Sequence, residues 1–230
     1  MPILDYVIVA VAAYMLGSIP AGFLMARAKG IDIRTVGSGN IGATNAMRAL
    51  GKPLGIFVLL MDGLKGWLAC LFGKWFCIWY VCHFSLFSNV GLDEQALESL
   101  LPIVQCEIVA GIFAVLGHNY TCWLGFKGGK GIATSAGVYL ALAPWALLVA
   151  LAVFLLALLV TRYVSVGSIS AAVALPAAVW ILPPHNLLLG IVTTVLGLLA
   201  IFKHRSNIQR LLNGTEQRFG RKSSPPEAAK

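Results

Sequence analysis

Charged side chains are scarce in this sequence. Only 11% of its 230 residues are charged and 59% are hydrophobic, whereas an ordinary soluble domain carries about 25% charged residues. A soluble fold of this size could not cover its surface with so few charges. The composition therefore excludes a disordered chain, a nucleic-acid-binding domain and a typical cytosolic enzyme, and it predicts a membrane protein with several spans. The net charge of +8 then reflects basic loops and anionic partners.

Metal-binding and disulfide patterns are also missing. The five cysteines are odd in number and contain no Cys-x-x-Cys pair, which is typical of small apolar residues in a membrane. The sequence offers no plausible metal-ligand cluster and no carboxylate pair at the spacing of glycoside chemistry. We therefore expect neither a metal nor a cofactor.

Long uncharged runs, by contrast, are abundant. Residues 6–26, 131–161 and 163–202 contain no Asp, Glu, Lys or Arg, and one bilayer crossing needs about 20 mostly apolar residues. Pro144 is expected to divide the second run into a short and a full span, and Pro183-Pro184 to divide the third into two.

Two further runs, within 53–92 and 108–126, add one span each. The sequence therefore predicts an all-α bundle of seven transmembrane helices. We expect it to form a single domain over residues 1–222, followed by a disordered Ser/Pro-rich tail at 223–230.

Basic residues set the orientation of this bundle. Seven spans place the termini on opposite sides of the membrane. With the N-terminus outside, the inside segments are 27–52, 118–131, Arg162 and the tail from Lys203, and they hold 15 of the 17 Lys and Arg residues. Because cytoplasmic loops are the basic ones, the C-terminus is predicted to be cytoplasmic.

The first inside segment has the composition of an anion site. Three glycines within Gly37 to Gly42 allow backbone N–H groups to converge. Ser38 and Asn40 add neutral donors, and Arg48 adds a planar fork suited to phosphate. A helix that begins near residues 40–44 would favour an anion at its N-terminus. The alternative is a glycine-rich turn with an ordinary helix cap.

The second inside segment repeats this chemistry. It reads Lys127-Gly128-Gly129-Lys130-Gly and reaches Thr134, where a helix is expected to open. The spacing is not that of a Walker A loop. Two lysines that merely follow the positive-inside rule are the alternative.

The third inside segment follows the last span. Lys203 and Asn207 are four residues apart, so they share a helix face, and His204 and Arg205 lie beside them. Snorkelling cations at a membrane boundary are the alternative. Together the segments indicate an anionic, phosphate-bearing ligand with a tail in the bilayer.

Two smaller features accompany these segments. Ser165, near the inside link at Arg162, is either a helix cap or a site residue. Asp62 and Lys65 are three residues apart within a span, and they form either a structural ion pair or a catalytic one.

Taken in order, these motifs resemble the signatures of the bacterial integral-membrane glycerol-3-phosphate acyltransferases of the PlsY type. The similar segments are Gly17-Ser-Ile-Pro-Ala-Gly22, the stretch from Asp32 to Arg48, the stretch from Gly117 to Thr134, and the stretch from Lys203 to Glu216.

The resemblance implies a reaction and its setting. An acyl group passes from acyl phosphate to glycerol 3-phosphate, giving 1-acyl-glycerol 3-phosphate (lysophosphatidic acid) and phosphate. The expected enzyme needs no metal, binds membrane lipid but no nucleic acid, and is a monomer in the inner membrane with its active site at the cytoplasmic face. The family's fold is similar to a seven-helix bundle with the N-terminus outside.

The resemblance also assigns residues. Functional positions carry over to Ser38, Arg48, Lys127, Ser165, His204 and Asn207. From the resemblance and the loop chemistry together, we expect catalytic roles for His204, Ser38 and Lys127. Substrate-binding roles are expected for Gly39, Asn40, Arg48, Gly128, Gly129, Lys130, Thr134, Ser165, Lys203, Arg205 and Asn207.

Several mechanistic alternatives stay open at this level. One phosphate would bind Arg48, Lys127 and the backbone at residues 38–40, and the other would bind residues 203–207, in either assignment. The base is His204 or a substrate phosphate oxygen. A transporter or binding protein for a small phosphate-bearing anion is the main rival, but the predicted outer connections are short and acidic, which argues against it.

Overall fold

The structure is a computed structural model that describes residues 1–85 and 95–220, and its regular elements there are α-helices and short 3₁₀ turns. The predicted tail at 223–230 lies outside the described residues. The all-α prediction is confirmed over the described chain. In chain order the helices are α1 (Ile3–Ser18), α2 (Ala21–Arg27), α3 (Ala43–Leu50), α4 (Lys52–Ser85), α5 (Gln95–Asn119), α6 (Ile132–Leu142), α7 (Pro144–Thr161), α8 (Val164–Ile181), α9 (Leu187–Lys203) and α10 (Arg205–Leu212).

Five helical segments of the described chain are long and apolar enough to cross a membrane, and α9 with α10 makes a sixth if this pair, bent by 50°, counts as one span. The first of the five joins α1 and α2. Helix α6 has 11 residues, so it is about 16 Å long, against about 30 Å for the hydrocarbon core. The fourth of the seven predicted spans is therefore a short apolar helix.

The predicted breaks in the long apolar runs occur where proline and positive φ require them. Helix α7 begins at Pro144, whose ring suits the first turn of a helix. Arg162 ends it with φ of 61°, which stops an α-helix. Helix α8 ends before Pro183-Pro184. The helices are therefore separated at Pro144, at Arg162 and at Pro183-Pro184, where the sequence predicted connections between spans.

The helices pack in two groups. Helices α4 and α5 pack on each other and on both α1 and α6, and α3 packs on α4, while α8 packs on both α7 and α9. Small residues permit close approach between helices in a membrane. At Gly137 of α6, for example, a Cβ would collide with the backbone of Gly63 on α4.

A buried apolar cluster joins the two groups. Its larger members include Ile108 of α5, Val138 and Tyr139 of α6, and Leu189 of α9. The Tyr139 hydroxyl satisfies its hydrogen-bonding need by donating to Thr193 Oγ1 at 2.8 Å. The core thus fixes α6 and α9 against each other, and with them the segments that begin or end at the site.

Candidate active site

The three motif segments meet around one cavity of about 270 Å³. Its walls come from the loop before α3, the start of α6, the start of α8, the junction of α9 and α10, and the segment after α10. Seven predicted site residues line it: Ser38, Asn40, Arg48, Lys130, Ser165, His204 and Asn207.

Asn45 folds the first loop. Its side-chain oxygen accepts the Ser38 N–H at 2.9 Å, and its amide group donates to Val36 O at 2.9 Å. Gly37 and Gly39 supply the positive φ values that this turn requires, 60° and 69°. The Gly39 N–H donates to Val36 O at 3.0 Å. The N–H groups of Ser38 and Gly39 are thus paired inside the loop. The prediction that they bind phosphate is wrong for this structure, and the loop presents side chains to the cavity instead.

Helix α3 carries Arg48 from this loop to the cavity. It begins at Ala43, within the predicted interval, and Arg48 lies in its last turn. The guanidinium Nη2 is 3.5 Å from Gln217 O, an acceptor in the segment after α10. A planar fork with several N–H groups remains suited to a phosphate at this position.

The second loop folds back on the end of α5. The Gly128 N–H donates to Asn119 O at 3.2 Å, and the Gly129 N–H donates to His118 O at 3.0 Å. A side chain at Gly129 would overlap the His118 ring. The two glycines are therefore needed for this close approach, and their N–H groups are already paired.

The two lysines of this loop have different surroundings. Lys127 is exposed, whereas Lys130 lines the cavity and donates to Asn207 Oδ1. Burial, together with the nearby charges of Arg210 and Arg48, lowers the pKa of Lys130 to about 8. A dianionic ligand would restore its full positive charge. Thr134 is fully buried in the first turn of α6, outside the cavity wall.

His204 lies in the wall at the junction of α9 and α10, where it is 3% exposed. Its Nδ1 is 2.7 Å from Ala200 O. Because a carbonyl oxygen only accepts, Nδ1 carries the proton of this contact, and the neutral ring keeps Nε2 as an acceptor. The geometry suits a proton acceptor at Nε2.

Glu216 organises the side of the cavity that faces α8 and α10. Its Oε1 accepts from Ser165 Oγ at 2.8 Å and from Asn207 Nδ2 at 2.7 Å, and its Oε2 accepts from Arg210 Nε at 2.7 Å. Burial alone would raise the pKa of Glu216, but these three hydrogen bonds hold it below its usual value. The sequence reasoning placed Glu216 in a motif but not in the site.

Ser165 is therefore not a helix cap. Tyr163 occupies the cap position of α8, and the Ser165 hydroxyl is committed to Glu216. Asp62 and His118 also line the cavity. The sequence left Asp62 as a member of either a structural or a catalytic ion pair with Lys65, and it gave no signal for His118 as a residue of the cavity wall.

Two predicted cations point away from the cavity. The Lys203 ammonium donates to Asn119 O at 2.9 Å and lies 4.5 Å from the centre of the Tyr120 ring. Arg205 stacks over Phe202 at 4.7 Å. In this structure Lys203 braces α9 against the end of α5 rather than lining the cavity.

The segment after α10 closes the remaining side. The Phe219 N–H donates to Arg162 O at 2.7 Å, and Arg218 Nε donates to the Tyr163 hydroxyl at 3.2 Å. Phe219 itself lines the cavity. The segment at 216–219, called here the closing segment, thus joins α10 to the link between α7 and α8.

A second, apolar cavity of about 100 Å³ adjoins the first. Ile132 and Phe154 line both. The apolar cavity runs between α6, α7, α8 and α9 to Tyr139 and Thr193. A cavity with Arg48, Lys130 and His204 in its wall, next to an apolar cavity, suits an amphiphile with a phosphate head and an acyl tail.

Comparison with known proteins agrees with this geometry. The family model for glycerol-3-phosphate acyltransferase matches residues 7–214. A glycerol-3-phosphate acyltransferase of Geobacter sulfurreducens is 44% identical over 216 residues, covering 94% of this chain and 98% of its own. One of Synechococcus elongatus is 43% identical over 225 residues, covering 96% and 98%.

The solved structures extend the agreement to the fold. The crystal structure of PlsY, an integral membrane glycerol 3-phosphate acyltransferase, in its glycerol 3-phosphate form has a TM-score of 0.77 and 39% identity, covering 94% of this chain and 96% of that one. Its lysophosphatidic acid form has a TM-score of 0.74 and 38% identity, covering 94% and 95%. On the family match, the relatives and the shared fold together, this chain belongs to the glycerol-3-phosphate acyltransferase family.

Proposed function

We propose that this chain transfers an acyl group from acyl phosphate to glycerol 3-phosphate, releasing lysophosphatidic acid and inorganic phosphate, as a step of phospholipid synthesis. One observation carries the proposal: Arg48, Lys130 and His204 line a single cavity, and an apolar cavity adjoins it. The charged and polar groups of the first cavity match two phosphate heads and a hydroxyl. The apolar cavity matches the acyl tail.

The chemistry needs positioning and a proton acceptor. Acyl phosphate is already activated, so the hydroxyl oxygen of glycerol 3-phosphate attacks the carbonyl carbon directly. The bond from that carbon to the phosphate oxygen breaks, and its electron pair leaves with phosphate. His204 Nε2 takes the hydroxyl proton. A phosphate oxygen of the substrate is the alternative acceptor.

The donors of the cavity stabilise the charges of this reaction. Arg48 and Lys130 bind the phosphates as cations. Asn40, Ser38 and Asn207 add neutral side-chain contacts. Seven further residues stay predictions, because they are not among the residues that line the cavity: Lys127, Gly39, Gly128, Gly129, Thr134, Lys203 and Arg205.

The proposal includes seven crossings in the inner membrane, with the N-terminus outside and the site at the cytoplasmic face. Two contacts support it. Lys130 bonds Asn207, and Ser165 bonds Glu216, so both ends of the segment from α6 to α7 lie on one face. In the proposed topology the short helix α6 makes the outward passage and α7 makes the return. We also propose that the monomer is the active unit, because a single chain supplies each side chain to which the proposed chemistry gives a role.

A single assay tests the proposed reaction. Purified protein with acyl phosphate and glycerol 3-phosphate is expected to release phosphate and lysophosphatidic acid without added metal or coenzyme A. Uptake of labelled phosphate into proteoliposomes without acyl transfer would favour the transporter instead. A covalent acyl adduct isolated on Ser38 or Ser165 would contradict direct transfer.

A further inference from the structure

A buried ion pair lies beside the cavity, with Asp62 in its wall, and has no part in the proposed chemistry. Asp62 Oδ1 and Lys65 Nζ are 2.9 Å apart, and the two residues are 2% and 5% exposed. Removing two charges from water is costly, and an apolar pair would pack in a bilayer without that cost. Such a pair therefore calls for a reason beyond packing.

Lys65 connects this pair to the first span. Its ammonium also donates to Ile19 O at 2.8 Å. Ile19 stands between α1 and α2, where Pro20 interrupts the helix. Lys65 thus holds three elements together: α4, the end of α1 and the start of α2.

Asp62 connects the pair to the second loop. His118 Nδ1 lies 3.5 Å from Asp62 Oδ1, and His118 is 4% exposed. The carbonyl oxygen of His118 accepts the Gly129 N–H, and the imidazole ring of His118 fills the space that a side chain at Gly129 would need. Any shift of His118 therefore moves the loop that carries Lys130.

The charges beside the cavity also support a role for the Asp62–Lys65 pair. Asp62 lines a cavity proposed to hold phosphates, and an uncompensated carboxylate there would repel them. Lys65 removes that repulsion without lining the cavity itself. The pair keeps a carboxylate beside the anion site at no net charge.

We propose that Asp62 and Lys65 are positioning residues: Asp62 fixes His118 and with it the loop 127–131, and Lys65 cancels the carboxylate charge beside the phosphate site. The inference rests on the proposed function for the identity of the substrate. Neither residue is assigned a proton transfer.

Kinetics of charge variants test the compensation. Lys65→Met is expected to raise the KM for glycerol 3-phosphate at least tenfold with a smaller change in kcat. The double variant Asp62→Asn with Lys65→Met is expected to have a KM at least threefold lower than that of Lys65→Met, because the uncompensated charge is gone, but still above that of the wild type, because the loop 127–131 has lost its contact with Asp62. A double variant as impaired as Lys65→Met would overturn the compensation. The matched control is Lys74→Met, an exposed lysine of α4 that pairs with Glu107 at 3.7 Å, and its KM should not change.

Loop order tests the positioning without any substrate. A nitroxide on Lys127→Cys, with Cys82 and Cys122 replaced by serine because they are the cysteines that are not buried, reports the mobility of the loop. Asp62→Asn is expected to increase that mobility, and Lys74→Met is not. Unchanged loop mobility in Asp62→Asn would overturn the positioning role. This test does not need Lys65→Met, so it stays decisive if that variant fails to fold. A wild type that orders its loop but does not acylate glycerol 3-phosphate would instead refute the proposed function.

Discussion

At the scale of single residues, one hydrogen bond sets the tautomer of the His204 ring. Its Nδ1 donates to Ala200 O, which leaves Nε2 as the acceptor in a wall of the larger cavity. The sequence could identify this histidine by its motif. The tautomer follows from a carbonyl four residues earlier, which only the fold of the helix end reveals.

His204→Gln is expected to lower kcat by at least about 100-fold, the usual contribution of a positioned general base. A glutamine fills the site but accepts no proton at neutral pH. The measurement is the steady-state rate across pH, and activity should not return at higher pH. His185→Gln is the matched control, because His185 is exposed in the connection between α8 and α9. Substantial turnover by His204→Gln would transfer the role to a substrate phosphate.

Lys130 gives a separate expectation for pH. Its pKa in the free protein is lowered to about 8, so the cation is present below pH 8 and is lost as the pH rises through 8. We expect kcat/KM for glycerol 3-phosphate to fall about tenfold per unit above that pH. The fall should be weaker in kcat, because bound phosphate restores the charge.

Lys130→Arg should abolish this alkaline limb, since arginine stays charged. Lys127→Arg provides the comparison within the same loop. Should Lys127→Arg remove the limb and Lys130→Arg leave it, the cation at the cavity would be misassigned. The two lysines flank the same two glycines, and the sequence alone gives no physical reason to rank them.

Glu216 is a residue of the site that the sequence did not identify as one. A carboxylate has the wrong charge for an anion site, so charge matching overlooks it. The structure shows that it acts on its neighbours, because one carboxylate orients Ser165, Asn207 and Arg210 together. Residues 51 positions apart, Ser165 and Glu216, meet only through the fold.

At the scale of elements, the helix breaks were the predictable part. Proline at 144 and at 183–184 limits where an apolar run can continue, and the observed helices follow these limits. Pro144 also predicted that α6 would be short, and α6 ends at Leu142, just before that proline. The exact end of the helix was not predictable, because the chain already leaves the helical conformation at Ala143.

The glycine loop between α5 and α6 is expected to tolerate no added methyl group at Gly129. A Cβ there would overlap the His118 ring, and crowding of this kind costs about 1–3 kcal/mol. Gly129→Ala should raise the KM for glycerol 3-phosphate and lower the melting temperature in detergent. Gly63→Ala on α4 is the control, because its Cβ would make only an ordinary contact at 3.6 Å with Ala133 O. Equal effects of the two substitutions would contradict this reading of the loop.

At the scale of the whole molecule, the family and the membrane character follow from motifs and composition, whereas the assembly of the site does not. The motifs predicted seven of the residues that line the cavity. Their mutual contacts depend on the packing of α9 against α6 and on the 50° bend between α9 and α10. No local pattern encodes either.

The proposed topology makes a labelling prediction. Cysteines introduced at the exposed positions Lys127 and Arg205 should react with an impermeant thiol reagent only from the cytoplasmic side of sealed vesicles. A cysteine at His185 should react only from the opposite side. Reaction of the first two positions from different sides would exclude seven crossings with a single-faced site.

The closing segment has a consequence for biosynthesis. Glu216 and Phe219 leave the ribosome after every helix of the bundle has been translated, so the membrane-inserted scaffold precedes the finished catalyst in time. A nascent chain arrested after Leu212 would carry all its spans and still lack the carboxylate that orients Ser165 and Asn207. Insertion and the onset of activity are thereby successive events, and lipid synthesis by this chain requires translation to continue through Phe219.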